Sequence, residues 1–241
     1  MKETTRLYLQ EDLVSETFAK VTKIRESEIA FDKSPFYPGG GGQPCDEGFI
    51  VFENALTWKV VSVRADEEGN IWHKVEEQPS LDLIDQVVQL KIDQKRRIAL
   101  TRYHTVLHIL NTIALQDYGA WITGVQIGAE YSRIDFKFEN FSSEIVSKLE
   151  EKVNRVISES HIIKAYFISE TEFNSRPELL RTLTVKPPVN NGQVRVVEIA
   201  GFDTQACGGT HVHKTDDLGK FSIFRTDNKG KINKRLYIRL D

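Results

Sequence analysis

Asp93-Gln94-Lys95-Arg96-Arg97-Ile98-Ala99-Leu100-Thr101-Arg102-Tyr103-His104-Thr105-Val106-Leu107-His108-Ile109-Leu110-Asn111-Thr112-Ile113 divides the chain into two textures. Ile98, Tyr103, Val106, Leu107, Leu110 and Ile113 recur at helical spacing behind Asp93 as N-cap, which predicts a helix from Gln94 to about Tyr118. Residues four apart on a helix share a face, so His104 and His108 can offer two imidazoles to one ion. Their stripe also carries Thr101, Thr105, Asn111 and Thr112, where a solvated face would show Lys and Glu; it reads as a lined pocket. An HxxxH pair on its own is equally what two packed or wetted histidines look like.

Before this helix the chain reads as strands. Thr57 to Val63 and Asn70 to Val75 flank the polar turn Asp66-Glu67-Glu68-Gly69-Asn70, and Val88, Leu90 and Ile92 alternate with Gln89 and Lys91. Short alternating runs predict a small barrel or sandwich over residues 1–92. After it, helix and strand mix. A turn is expected at Gly124 to Gly128, then a strand through Ile134, Phe136 and Phe138. Ile145, Leu149, Val153 and Ile157 make an amphipathic helix behind a Ser142 or Ser143 cap. Strands follow at His161 to Ile168, Val194 to Ile199, Lys220 to Arg225 and Lys231 to Leu240, the last two joined through Asn228-Lys229-Gly230. The fold class is therefore α+β: a small N-terminal β-barrel, then an α+β domain over residues 93–241 with an antiparallel sheet and packed helices.

Far downstream stands Cys207-Gly208-Gly209-Thr210-His211. Thiolate and imidazole are the donors zinc prefers, and glycines let the backbone come close to a ligand. With His104 and His108, Cys207 and His211 make one tetrahedral Zn2+ set; read alone, the loop also suits a free cysteine in a glycine turn. His213 matches the spacing less well, and His73 and His161 fall in expected strands as ordinary packing or surface residues. A third glycine-rich element, Phe36-Tyr37-Pro38-Gly39-Gly40-Gly41-Gly42-Gln43, has no Lys-Ser or Lys-Thr after it, which speaks against a nucleotide P-loop. It remains open as a surface turn, a close approach to a ligand, or a contact to a nucleic-acid backbone.

Together, the HxxxH pair, the CGGTH loop and the FYPGGGGQ element resemble the alanyl-tRNA editing family, which comprises free-standing AlaX-type proteins and the editing domain of alanyl-tRNA synthetase. The likeness runs from about Phe31 to Gly219 and includes Arg195-Val196-Val197, Asp203-Thr204-Gln205-Ala206, Val212 and Leu218-Gly219. It implies a translation-factor-like barrel at the N-terminus. It also implies catalytic or metal roles for His104, His108, Cys207, His211 and Asp203, and contacts to the substrate from Ser34, Gln43, Gly208, Gly209 and Thr210. Ser34 stands where the family has threonine, keeping the hydroxyl and losing a methyl.

With 40% hydrophobic and 28% charged residues the chain is globular. No apolar run approaches the ~18 residues that span a bilayer, and the N-terminus lacks the apolar core of a signal peptide. Two distant cysteines, Cys45 and Cys207, suit a reducing compartment, so a cytoplasmic protein with no membrane partner is expected. A net charge of -3 does not attract a polyanion, so contact with tRNA must be local. Two basic clusters are candidates: Lys95, Arg96, Arg97 and Arg102, and Lys229, Lys231, Lys234 and Arg235.

The implied activity is hydrolysis of the ester in mischarged tRNA(Ala), releasing serine or glycine in trans. Gly208 and Gly209 N–H groups are candidate oxyanion donors, and Asp203 a group that orients a ligand or water. A synthetase pocket shaped for alanine excludes smaller glycine poorly and an added hydroxyl only weakly, which is the physical need for a second sieve. Two other classes stay open. One is a zinc-stabilised tRNA-binding module without catalysis, favoured by a closed four-ligand set and by the Val106-Leu107 before the second histidine. The other is a zinc hydrolase for small esters or amides.

Overall fold

The computed structural model describes residues 3–10, 14–181 and 187–241. They form two compact units, Met1–Gly40 with Pro44–Ile98 and Gly41–Gln43 with Ala99–Asp241. The described residues are mainly sheet with three α-helices, the mixed α+β composition expected.

In the first unit, β1 (Thr5–Arg6) pairs in parallel with β4 (Lys33–Ser34). The rest is a closed antiparallel barrel of six strands: β2 (Glu16–Arg25), β3 (Glu28–Phe31), β5 (Gly48–Val51), β6 (Thr57–Ala65), β7 (Ile71–Val75) and β8 (Val87–Ile92). Closure runs β2-β3-β7-β6-β5-β8 and leaves no free sheet edge. Val88, Leu90 and Ile92 face the core with Val21, Ile29, Phe31, Ile50 and Ile71. β2 escaped the alternation rule because Phe18 points to solvent, 64% exposed, while small Ala19 fills the interior.

A hydrogen-bonded relay crosses this interior. Phe36 N–H donates to Ser34 Oγ (3.1 Å), Ser34 donates to His73 Nε2 (2.8 Å), and His73 Nδ1–H donates to the Ile29 carbonyl (3.1 Å). Every group in the relay is satisfied by neutral imidazole, and burial holds the His73 pKa down from 6.5 to about 4. The unfolded chain therefore binds a proton between these values that the folded chain refuses, and stability falls as pH drops from about 6.5 to 4. At ~1.4 kcal/mol per pH unit the loss amounts to about 3 kcal/mol. Urea unfolding at pH 7 and pH 4 should show that this drop shrinks by about that amount in His73→Gln. An equal drop in both proteins would contradict the assignment.

In the second unit, α1 (Gln94–Tyr118) continues from the first, with the junction at Ile98. Asp93 caps it by accepting Arg96 N–H at 3.0 Å. From Thr101 to Ala114 every residue but Arg102 is buried, so α1 is enclosed on all sides. Ile98, expected on the apolar stripe, is 41% exposed; two residues from Leu100, it lies about 200° around the helix from it. Leu100, Tyr103, Leu107 and Leu110 pack on an antiparallel sheet ordered β15 (Phe221–Asn228), β16 (Asn233–Leu240), β10 (Ser132–Lys137), β9 (Trp121–Gln126). α2 (Ser143–Ser158), capped by Ser142, adds Leu149 and Val153 to the same core.

The turn expected at Gly124 to Gly128 is instead largely strand, since β9 runs through Gly124. Gly124 lies opposite Asp135, next to a bulge between Asp135 and Phe136; there a glycine marks an irregular ladder, not its end. A second antiparallel set joins β11 (Ile163–Ser169), β12 (Val189–Asn190), β13 (Gln193–Ile199) and β14 (Asp203–Ala206). The short helix α3 (Glu170–Asn174) follows β11. No helix among the described residues is long and apolar enough to cross a membrane.

Candidate metal centre

α1 stacks His104 and His108 one turn apart, ring centroids 5.2 Å from each other. β14 ends at Ala206 and delivers the loop Cys207 to His211 against them, with the His211 ring 4.6 Å from His104 and 4.5 Å from His108. Cys207 Sγ lies 3.4 Å from both His104 Nε2 and His211 Nε2. The four donor atoms fall within 4.8 Å of one another, and could hold a metal ion. Metal–nitrogen and metal–sulfur bonds of about 2.1 and 2.3 Å place the vertices of a tetrahedron roughly 3.4–3.7 Å apart, which the two Cys207–imidazole separations match.

Hydrogen bonds fix two of the imidazoles in the form a metal needs. Thr210 N–H donates to Gln43 Oε1 at 3.2 Å, which settles which end of the amide is oxygen. His104 Nδ1, 2.7 Å from that oxygen, must then carry the proton, leaving the Nε2 lone pair toward Cys207. Thr105 Oγ1 donates to the Thr101 carbonyl at 3.0 Å and accepts Val212 N–H at 3.2 Å. His211 Nδ1, 3.1 Å away, is therefore also a donor, and again Nε2 is free to ligate. Burial and the adjacent His108 hold His104 and His211 well below the ordinary histidine value. Burial, then Arg181 and Arg195, push His108 down to about 3. All three rings are neutral at neutral pH.

The loop is held from behind by Arg195 on β13, a buried guanidinium that donates to the carbonyls of Gly209 (2.6 Å) and Cys207 (3.2 Å). Gly209 faces His104 so closely that a Cβ there would lie 2.1 Å from the ring. Its N–H points at Cys207 Sγ (3.4 Å), so this expected oxyanion donor is committed to the sulfur. Gly208 is less confined, its missing Cβ facing Pro188 alone among the described residues.

The small polar residues on α1 are not a wetted pocket; they are the docking seam for β14 and the loop. Thr101 bonds Thr210 (2.7 Å), and Asn111 and Thr112 bond Gln205, which also donates to the His108 carbonyl at 3.2 Å. Asp203 accepts from Gln205 (2.6 Å) and pairs with Arg181, so it reaches the His108 turn through Gln205. Gln43 and Thr210, expected against the substrate, are buried and spend their polar atoms on His104, Thr101 and each other. Ser34 lies in the barrel unit, its hydroxyl donating to His73 and accepting Phe36 N–H. His213 is exposed and outside the cluster; His161 bonds the Ala200 carbonyl and Glu159.

The first basic cluster is largely structural. Arg97 is buried against Asp46, Arg96 meets Glu47 and the Cys45 carbonyl, and Arg102 binds the Leu218 and Asp241 carbonyls. In the second, Arg235 is paired with Asp135. Sequence reasoning missed the roles of Arg195 and Gln43. A lone Arg195 among Val194, Val196 and Val197 was the available signal, since a cation in a buried apolar strand needs a partner. Gln43 orients a ligand without binding metal, and such partners are worth about 10–100-fold in affinity. Gln43→Ala should weaken divalent-metal binding by that factor in competition with a chelator; unchanged affinity would remove Gln43 from the site.

Known proteins resemble this chain over nearly its whole length. Residues 194–237 match the model of the threonyl and alanyl tRNA synthetase second additional domain, and residues 5–96 that of class II (A) tRNA synthetases. The alanyl-tRNA editing protein AlaX-M of Saccharolobus solfataricus is 35% identical over 97% of this chain and 98% of its own length. That of Methanosarcina mazei is 35% identical over 98% and 96%. The alanine–tRNA ligase of Pyrococcus furiosus is 32% identical over 94% of this chain but only 25% of its own length. A likeness that spans nearly all of both chains places this protein in the alanyl-tRNA editing protein family.

Proposed function

We propose that the chain is a cytoplasmic aminoacyl-tRNA hydrolase that cleaves serine or glycine from mischarged tRNA(Ala) in trans, with zinc held by His104, His108, Cys207 and His211. The observation that supports this best is the pre-set protonation of the cluster. His104 and His211 carry their protons on Nδ1, so their lone pairs converge with the Cys207 sulfur. Three imidazoles and one thiolate are a zinc donor set. When bound, zinc supplies a positive charge that polarises an ester carbonyl or lowers the pKa of water.

The chain's own groups do the rest. Arg195 fixes the loop carbonyls, Gln43 and Thr105 fix the two imidazole tautomers, and Asp203 holds Gln205 under the His108 turn. With Gly209 N–H turned to the sulfur, Gly208 N–H is the one of the two glycine donors that remains for a developing oxyanion. The second reading is a zinc-stabilised tRNA-binding module, which the closed set of four protein ligands favours.

Deacylation of Ser-tRNA(Ala), Gly-tRNA(Ala) and Ala-tRNA(Ala) by wild type and by Cys207→Ala, with zinc measured in both, separates the two. Release of serine or glycine but not alanine is expected from wild type. Cys207→Ala should lose zinc and at least ~100-fold in rate, more than an outer partner costs. A folded Cys207→Ala of full activity would rule out a catalytic metal, and zinc and tRNA binding without hydrolysis would favour the module. Turnover of a small seryl ester as fast as the tRNA would point to a general esterase instead.

A further inference from the structure

The outer face of the sheet β15-β16-β10-β9 is aromatic and cationic together. Along β10, Ser132, Ile134 and Phe136 are buried, which turns Arg133 outward; along β16, Leu236 and Ile238 are buried, which turns Tyr237 and Arg239 outward. Register sets Tyr237 between Arg133 and Arg225. β15 bulges between Ile223 and Arg225, and the extra residue, Phe224, is left 45% exposed. A bulge re-aims a side chain in this way. Tyr131, 46% exposed, lies 6.0 Å from Phe224 and 6.2 Å from Tyr237. Guanidinium groups sit over two of these rings, Arg225 4.7 Å from Tyr237 and Arg239 4.7 Å from Phe224.

The charges on this face do not cancel. Asp227 pairs with Arg225 and Asp135 with Arg235, but among the described residues neither Arg133 nor Arg239 meets a carboxylate. Half-exposed rings beside uncompensated arginines, on a protein of net charge -3, single this face out as an anion-seeking surface. Bases splayed from a duplex stack on aromatic rings and guanidinium planes, while phosphates take the cation. A second copy of the chain suits it poorly, because a two-fold contact would set this arginine-bearing patch against the same patch of its copy.

We propose that this face is an RNA-contacting platform, on which unpaired nucleotides of the tRNA stack on Phe224 and Tyr131 while Arg133 and Arg239 hold adjacent phosphates. It rests on tRNA being the substrate, and it lies outside the metal cluster, so it governs affinity and not the chemical step.

The test uses the full chain and uncharged tRNA(Ala), followed by fluorescence anisotropy, so that binding is read independently of hydrolysis. Phe224→Ala should weaken binding roughly fivefold to hundredfold, the loss of one stacked base, and Phe224→Trp should restore it. Arg239→Gln should lower the slope of log affinity against log salt by about 0.7–0.9, one phosphate contact. In deacylation both variants should raise KM and leave kcat unchanged. Should Phe224→Ala not fold, Arg239→Gln carries the test. Wild-type affinity in both variants would overturn the platform while leaving the editing reading intact. So would unchanged affinity with a shift from dimer to monomer in sedimentation, which would make the face a self-association surface. If the wild-type protein bound no tRNA at all, both readings would fall.

Discussion

Gly209→Ala is expected to empty the metal site and cost deacylation about 100-fold or more. The added methyl would lie 2.1 Å from His104 Cε1, 2.4 Å from Nδ1 and 2.9 Å from Gln43 Oε1, all far inside van der Waals contact. Neither side has room to give. The His104 ring is tied to Gln43 at 2.7 Å, and Gly209 is tied through its carbonyl to Arg195 at 2.6 Å. The clash resolves by rotating His104 off its position or by lifting the loop, and either separates Nε2 from Cys207 Sγ, now 3.4 Å apart. Gly208→Ala is the control. Among the described residues its methyl meets Pro188, Cγ at 3.3 Å and Cδ at 3.8 Å, contacts that small shifts relieve, so zinc content should stay near wild type. Metal analysis and Ser-tRNA(Ala) deacylation on the two variants decide it: a Gly209→Ala protein with full metal occupancy would show that the loop is softer than this packing allows.

Asp46→Ala should destabilise the barrel unit by about 3–5 kcal/mol, because it leaves the Arg97 cation in the interior without its carboxylate. Both side chains are only 1% exposed. Arg97 donates to Asp46 through Nε at 3.1 Å and to the Pro35 carbonyl at 2.7 Å, and Asp46 also accepts Tyr37 N–H at 2.7 Å. The pair thus braces both ends of the segment from Pro35 to Asp46, whose glycines Gly39, Gly40, Gly41 and Gly42 all have positive φ and resist any other residue. A drop in Tm on the order of 10 °C is expected. Replacing both partners by apolar residues, Asp46→Leu with Arg97→Met, should cost less than Asp46→Ala alone, since no buried charge remains. If the double variant were the less stable, the pair would be contributing net attraction and not merely compensating its own desolvation.

Local pattern carried much of the architecture. The helix around His104 and His108, the Ser142 cap and the alternation at Val88, Leu90 and Ile92 each depend on neighbours a few residues away, and each is found, with Ile98 the one position of the helical stripe that faces outward. So is the pairing of HxxxH with CGGTH, because ligand chemistry restricts which residue types can meet at one ion. Where a side chain's partner lies far along the chain, local pattern was silent or misleading. The polar stripe on α1 suggested a pocket, yet Thr105 answers His211 across 106 residues and His104 answers Gln43 across 61. Lys95, Arg96, Arg97 and Arg102 looked like a patch for RNA, yet three of them are anchored by a carboxylate or carbonyls elsewhere in the fold. The sequence by itself determined the helical and strand texture and the four donor types, since periodicity and ligand preference are properties of short stretches. Only the tertiary structure decided which nitrogen of each histidine is free and which charges are spent inside, because those depend on hydrogen bonds closed between residues that no local pattern brings together.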